Sequence, residues 1–166
     1  MEVTTVSGFL DYYEKVRQRT LRVAATIPPD QLEWTYRIGR FTIGDLLRHL
    51  GAIERYMWAE NVQGLPSRYP GHSRKLADGH DAVMAYLKRT HDESMAVFGA
   101  LKDEDLKKTC TTPAGSPIPI GKWLRSMIEH EIHHRGQIYL YLGILGVPTP
   151  PLYGLTSEEV AARSRA

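Results

Sequence analysis

The feature that most restricts the fold of this 166-residue chain is a set of four long segments with apolar side chains at helical spacing. Each is closed by residues that cannot prolong a helix. The first covers about residues 5–27, with Phe9, Tyr12, Tyr13, Val16, Val23 and Ile27 toward one face, and Pro28 and Pro29 end it. The second covers residues 42–62. Thr42 is its N-cap, and Asp45, three residues on, can serve the free N–H groups of the first turn. The Gly- and Pro-containing run at residues 64–71 breaks it. The third covers residues 79–101, carrying Val83, Leu87, Met95, Phe98 and Leu101. A Thr-, Pro- and Gly-rich connection at residues 109–119, with room for a short strand or hairpin, leads to the fourth. That segment opens near Pro119 or Ile120, runs to about residue 145 and stops at Gly146 and Pro148. A short terminal helix is predicted over residues 157–162.

No stretch alternates with period two for long enough to form a central sheet. Helices of about twenty residues are about 30 Å long, the dimension of a bundle rod. The expectation is therefore an all-α, four-helix bundle forming a single domain over residues 1–166. Its connections are long enough for one or more to cross the bundle. With 42% hydrophobic residues, the chain needs neither a disulfide nor a metal merely to hold a core together. A short echo, Ile43-Gly44-Asp45-Leu46-Leu47-Arg48 against Ile120-Gly121-Lys122-Trp123-Leu124-Arg125, suggests that the second and fourth helices enter the bundle in similar ways.

Other classes fall away. A charge of +2, from 21 Lys and Arg against 19 Asp and Glu, argues for no nucleic-acid partner. The lone Cys110 fits a reducing compartment, and there is neither a signal segment nor an apolar run long enough to span a membrane. A cytoplasmic protein without membrane contact is expected. Cys110 has no evident base beside it, so it is read as inert.

The histidines carry the chemistry. At about 100° per residue, His130, His134, Gln137 and Tyr141 fall in a narrow arc of the fourth helix, inside its apolar stripe. On the second helix His49 lies in line with Leu46, Ile53, Tyr56 and Met57, and so also faces inward. Any one of these alone reads better as a hydrogen-bonded core histidine; the alignment of three reverses that. Three buried neutral imidazoles are costly unless each ring nitrogen has a partner, and a divalent cation supplies three at once. Three His ligands also leave coordination positions open for a substrate. Tyr56, Glu60, Gln137 and Tyr141 are candidates to hold the other ring nitrogens. His133 lies on the flank, His72 and His80 belong to solvated loop regions, and His91 is a satisfied, partly buried residue of the third helix.

His130-Glu131-Ile132-His133-His134 also fits the H-E-x-x-H pattern of zinc proteases. That reading requires a sheet edge to hold an extended peptide, which is not legible upstream, and it leaves His49 unexplained. Glu131, about 100° from His130, is still placed where it can act as a base beside the metal.

Glu129-His130-Glu131-Ile132-His133-His134-Arg135-Gly136-Gln137-Ile138, together with Asp45-Leu46-Leu47-Arg48-His49-Leu50, resembles the DinB/YfiT-like superfamily, and the resemblance covers nearly the whole chain. It implies an up-down-down-up bundle, commonly dimeric, with zinc, nickel or another divalent ion on three histidines. Carried over residue by residue, these are His49, His130 and His134. It further implies low-molecular-weight-thiol S-transferases, a mycothiol-dependent maleylpyruvate isomerase, or metal-dependent hydrolases. The expected function is thus a metal-dependent enzyme acting on a small molecule, with Zn2+ first among metals and thiol transfer ahead of hydrolysis. The alternative is a metal-binding, stress-response module without turnover. Catalytic residues are not assigned. Leu47, Trp58, Ile128, Tyr139 and Leu142, set away from the histidine face, form a second apolar side and suggest a homodimer. Arg135, outside the inward arc, is read as an ion-pair or interface residue.

Overall fold

The computed structural model describes residues 3–164; residues 1, 2, 165 and 166, the outermost of the expected domain, lie outside it. Helix α1 is Val6–Ala24, capped by the Thr5 hydroxyl. Helix α2 occupies residues 43–61 in three parts: an α-helical stretch Ile43–Ile53, a π-helical turn Glu54–Trp58 and a last α-helical turn Ala59–Asn61. Thr42 and Asp45 form the reciprocal cap anticipated for its start. Helix α3 is His80–Gly99. Strands β1 (Thr109–Thr111) and β2 (Pro117–Pro119) make an antiparallel hairpin that feeds helix α4, Ile120–Ile144. A short helix α5, Ser157–Arg163, ends the described chain. Among the described residues no helix is long and apolar enough to cross a membrane.

Contacts between the helices give their directions. Arg17 meets Glu54 and Phe9 meets Phe98, so α1 runs against α2 and α3. Gly51 abuts Thr90 and Arg55 bonds Glu93, so α2 and α3 are parallel. Val3 abuts Gly121 and Val16 accepts from Arg135, so α4 runs with α1. The bundle is up-down-down-up. Because α2 and α3 point the same way, residues 62–79 must return along the length of the bundle. That requirement is why this connection is long.

The core has two apolar regions. One gathers Phe9, Tyr13, Val16, Trp58, Phe98 and Leu124. The other gathers Val23, Ile43, Leu46, Leu50, Leu87 and Ile138. Between them lies a charged layer with a contribution from every long helix. Arg17, 1% exposed, meets both Glu54 of α2 and Glu131 of α4, the latter at 2.8 Å. Tyr13 and Thr20 donate to Glu131 at 3.0 and 2.7 Å. His91 of α3 bridges Glu54 (2.9 Å) and Glu14 (3.1 Å).

Two sequence expectations are corrected here. Glu131 does not reach the histidine face; it is turned into this layer and held by Arg17. The supposed second apolar side is also interior: Leu47, Ile128 and Leu142 are buried, Trp58 is 4% exposed, and Tyr139 packs on the second apolar region. Leu47, Trp58, Ile128 and Leu142 are therefore covered within the bundle itself. Trp58 moves because the π-helical turn takes up one extra residue, so position 58 occupies the direction that regular spacing gave to Met57. Arg135 is structural: it is buried and donates to the Val16 carbonyl at 3.2 Å, with no ion pair among the described residues.

One guanidinium faces two buried carboxylates, and His91, between Glu54 and Glu14, is placed to balance the remaining charge when it is protonated. Burial pulls the His91 pKa down, but the hydrogen bond and charge of Glu54 outweigh this and hold it above its ordinary 6.5. A raised folded-state pKa gives stability that is fully present below 6.5 and is lost as pH rises through the folded value. The urea midpoint is expected to fall across that interval in the parent protein and to change less in His91→Gln. Arg17→Met strands two buried carboxylates and is expected to cost about 3–5 kcal/mol by urea denaturation; a loss under 1 kcal/mol on the same measurement would contradict the reading of this layer.

Candidate metal centre

His49, in the first two turns of α2, and His130 and His134, one turn apart on α4, meet where these two helices run antiparallel. One nitrogen from each ring lies within 4.8 Å of the others. His130 Nε2 is 3.0 Å from His49 Nε2 and 3.0 Å from His134 Nε2. His49 is 8% exposed, and the other two are half-buried. The helix-face reading therefore selected three residues that the fold brings together.

The opposite ring nitrogens of His134 and His49 are held. His134 Nδ1–H donates to Gln137 Oε1 at 2.6 Å, which leaves Nε2 as a lone pair directed at the cluster. His49 Nδ1 lies 2.6 Å from the Tyr69 hydroxyl, which is 3.2 Å from His72 Nδ1. With His49 Nδ1–H donating to Tyr69 and Tyr69 O–H donating to His72, the His49 Nε2 lone pair is freed in the same way. Burial pushes the Tyr69 phenol up to about 12, so it keeps its proton. Aromatic rings fix the rest: Trp58 packs 4.9 Å from His130, and Phe41 packs 5.5 Å from His49 and 4.2 Å from His72.

This arrangement tests whether the donor set fits a cation. A neutral His130 has at most one proton on Nε2, yet two ring nitrogens stand 3.0 Å away, and one N–H cannot serve both. Protonating the rings is no remedy. Burial first, then the neighbouring histidines, depress His130 to about 3 and His49 to about 4. Burial also lowers His134, against the opposing hydrogen bond from Gln137. Three neutral imidazoles with converging lone pairs suit a divalent transition metal.

Of the four residues expected to support the ring nitrogens, Gln137 does so. Tyr141 instead packs its ring edge-on to Trp34, and Glu60 binds Arg68 and the Arg68 N–H. Tyr56 makes no hydrogen bond to the three rings among the described residues. Tyr69 was not singled out and His72 was read as a solvated loop residue, whereas it is half-buried against Phe41 and bonded to Tyr69; both lie in the returning connection, and no periodicity reports where a loop passes. The only available signal was its length. Arg48, beside His49 and fully buried, anchors both flanking loops through Glu33 and through the Ala77 carbonyl at 2.7 Å. His91 is satisfied as expected, and His133 is exposed.

The family profile described as the DinB superfamily matches residues 12–138, an interval that includes all three histidines. The uncharacterised protein YrdA of Bacillus subtilis (strain 168) is 24% identical over 165 residues, 95% of this chain and 93% of that protein. YfiT from Bacillus subtilis, described as a probable metal-dependent hydrolase with an unusual four-helix bundle topology, superposes with a TM-score of 0.69. The identity is 17%, over 86% of this chain and 89% of that one. A mycothiol-dependent maleylpyruvate isomerase gives a TM-score of 0.65 at 12% identity, over 80% of this chain and 60% of that one. Sharing both the profile, over most of its length, and the bundle, the chain belongs to the DinB superfamily.

Proposed function

We propose that this chain is a metal-dependent enzyme in which His49, His130 and His134 hold one divalent ion, zinc before nickel, and that it transfers a low-molecular-weight thiol to a small electrophile. The observation that carries the metal is the convergence of three neutral ring nitrogens that cannot satisfy one another. Bound there, the ion would supply Lewis acidity and lower the pKa of a water or thiol near it.

The chain's own residues set the conditions for that chemistry. Gln137 and Tyr69 fix the ring orientations, Trp58 and Phe41 shield the cluster from water, and the depressed histidine pKa values remove proton competition near neutral pH. A cavity of about 490 Å³, lined from the loop before α2 and from α4, has His134 in its wall and gives a small organic substrate access to the cluster. The likeness to a mycothiol-dependent isomerase supports thiol transfer, and that to YfiT keeps hydrolysis as the second reaction.

Purified protein is expected to carry about one metal ion per chain by elemental analysis. His49→Ala, His130→Ala and His134→Ala should each lose it while keeping the helical circular dichroism. A His130→Ala protein with full metal content would sink the site. Tyr69→Phe should weaken metal affinity about 10–100-fold in a chelator competition. In a panel of thiols and electrophiles, turnover should vanish with EDTA and return with zinc. Ester hydrolysis without thiol transfer would select the second reaction.

A further inference from the structure

The cavity beside His134 has a polar group that the metal centre does not use. Its walls come from the loop before α2, through Tyr36, Arg40 and Phe41, and from α4, through His134, Gln137 and Tyr141. Tyr36, Phe41 and Tyr141 give that lining flat aromatic walls, Leu140 and Ile144 add aliphatic ones, and Arg40 is its one arginine or lysine.

The loop is shaped to present it. Arg40 N–H bonds the Arg37 carbonyl at 3.1 Å, closing a tight turn. Gly39, at the third position, has φ +80°, a conformation that favours glycine. The turn sets Tyr36 and Arg40 on its two flanks, both against the cavity. The Tyr36 ring packs 5.7 Å from that of Tyr141. The guanidinium is also electrically close to the aromatic wall. Burial and Tyr36 push the Tyr141 phenol up, while a Thr35 hydrogen bond and the Arg40 charge pull it back.

Among the described residues Arg40 has no carboxylate within 4.0 Å; Arg19, Arg22, Arg37 and Arg135 share that, but Arg40 is the arginine in the wall of this cavity. An arginine fork matches a carboxylate and holds it with two parallel hydrogen bonds. One guanidinium, with no second cation in the cavity lining, suits one negative charge better than a phosphate dianion. The aromatic walls suit a flat apolar body.

We propose that this cavity is the electrophile subsite and that Arg40 selects substrates carrying a carboxylate on a flat, apolar or unsaturated body, whose other end reaches His134. The assignment rests on the proposed function for what happens at His134, but the binding itself does not need the metal. Arg40 is a specificity residue at the mouth of the site, and Gln137, already bonded to His134, lines the path between them.

The test uses phenylacetate and its uncharged counterpart phenylacetamide, titrated into the zinc-loaded protein with amide chemical shifts as the readout. Phenylacetate should shift the amides of Gln137 and Leu140 and bind at least tenfold more tightly than phenylacetamide. Arg40→Gln should lose about that factor for phenylacetate and leave phenylacetamide unchanged, and Arg40→Lys should recover part of it. Arg40 is exposed, so these variants should fold as the parent does. Equal binding of the two probes by the parent, no binding of either at millimolar concentration, or phenylacetate affinity unchanged in Arg40→Gln would each overturn the proposal. The same titration in His49→Ala, whose altered side chain lies outside the cavity lining, separates the two readings. Arg40-dependent binding there, or in a parent protein that takes up no metal, upholds the carboxylate subsite even if the metal reading has failed. Loss of the Arg40 dependence in His49→Ala would show the carboxylate to be held at the histidines and would overturn the subsite.

Discussion

Arg17 sets the terms for the interior. Its guanidinium joins a carboxylate of α2 to a carboxylate of α4, and through Glu54 the link extends to His91 of α3. A charge placed where four helices meet cannot be moved without leaving its partners unpaired in a low dielectric, so it fixes which helix faces which and at what height. Two apolar regions lie on either side, and each could by itself tolerate sliding; the charged layer does not. The histidine cluster is the neighbour of that layer on the same two helices. Glu131 follows His130 directly, and holding Glu131 inward holds His130 about 100° away, toward the seam.

Much of this was readable from residue order alone. Helical spacing with a Thr42 cap, a Pro28-Pro29 stop and a Gly146 stop located the long helices to within a few residues, and the faces of α2 and α4 pointed to His49, His130 and His134. What stayed hidden follows from three physical causes. A π-helical turn changes the angular count, so Trp58 was assigned to the wrong side. A buried ion pair is a relation between distant residues, so the partner of Glu131 could not be read from its own helix. Loop paths have no period, so Tyr69 and His72 gave no sign of their place.

The parallel pairing of α2 and α3 links these observations. It obliges the chain to travel back beside α2, and that journey brings Tyr69 to His49 and His72 to Phe41. Arg48 then secures the segment through Ala77 and the preceding loop through Glu33. Topology thus delivers polar support to the site that no helix face contributes. The two loops form the rim while the helices form the floor, and Tyr69 ties the one to the other through His49.

The distance along the chain between the meeting histidines has a consequence for how the protein comes into being. His49 and His130 are 81 positions apart, and α4 is the last long helix to be synthesised. Contacts of such separation are slow to form, because the intervening segment must be closed into a loop before they contribute anything. A nascent chain emerging with α1 to α3 holds one histidine of the cluster and none of its companions. The site is therefore a late product of folding, assembled only when α4 docks, and its formation is a readout that the whole bundle has closed.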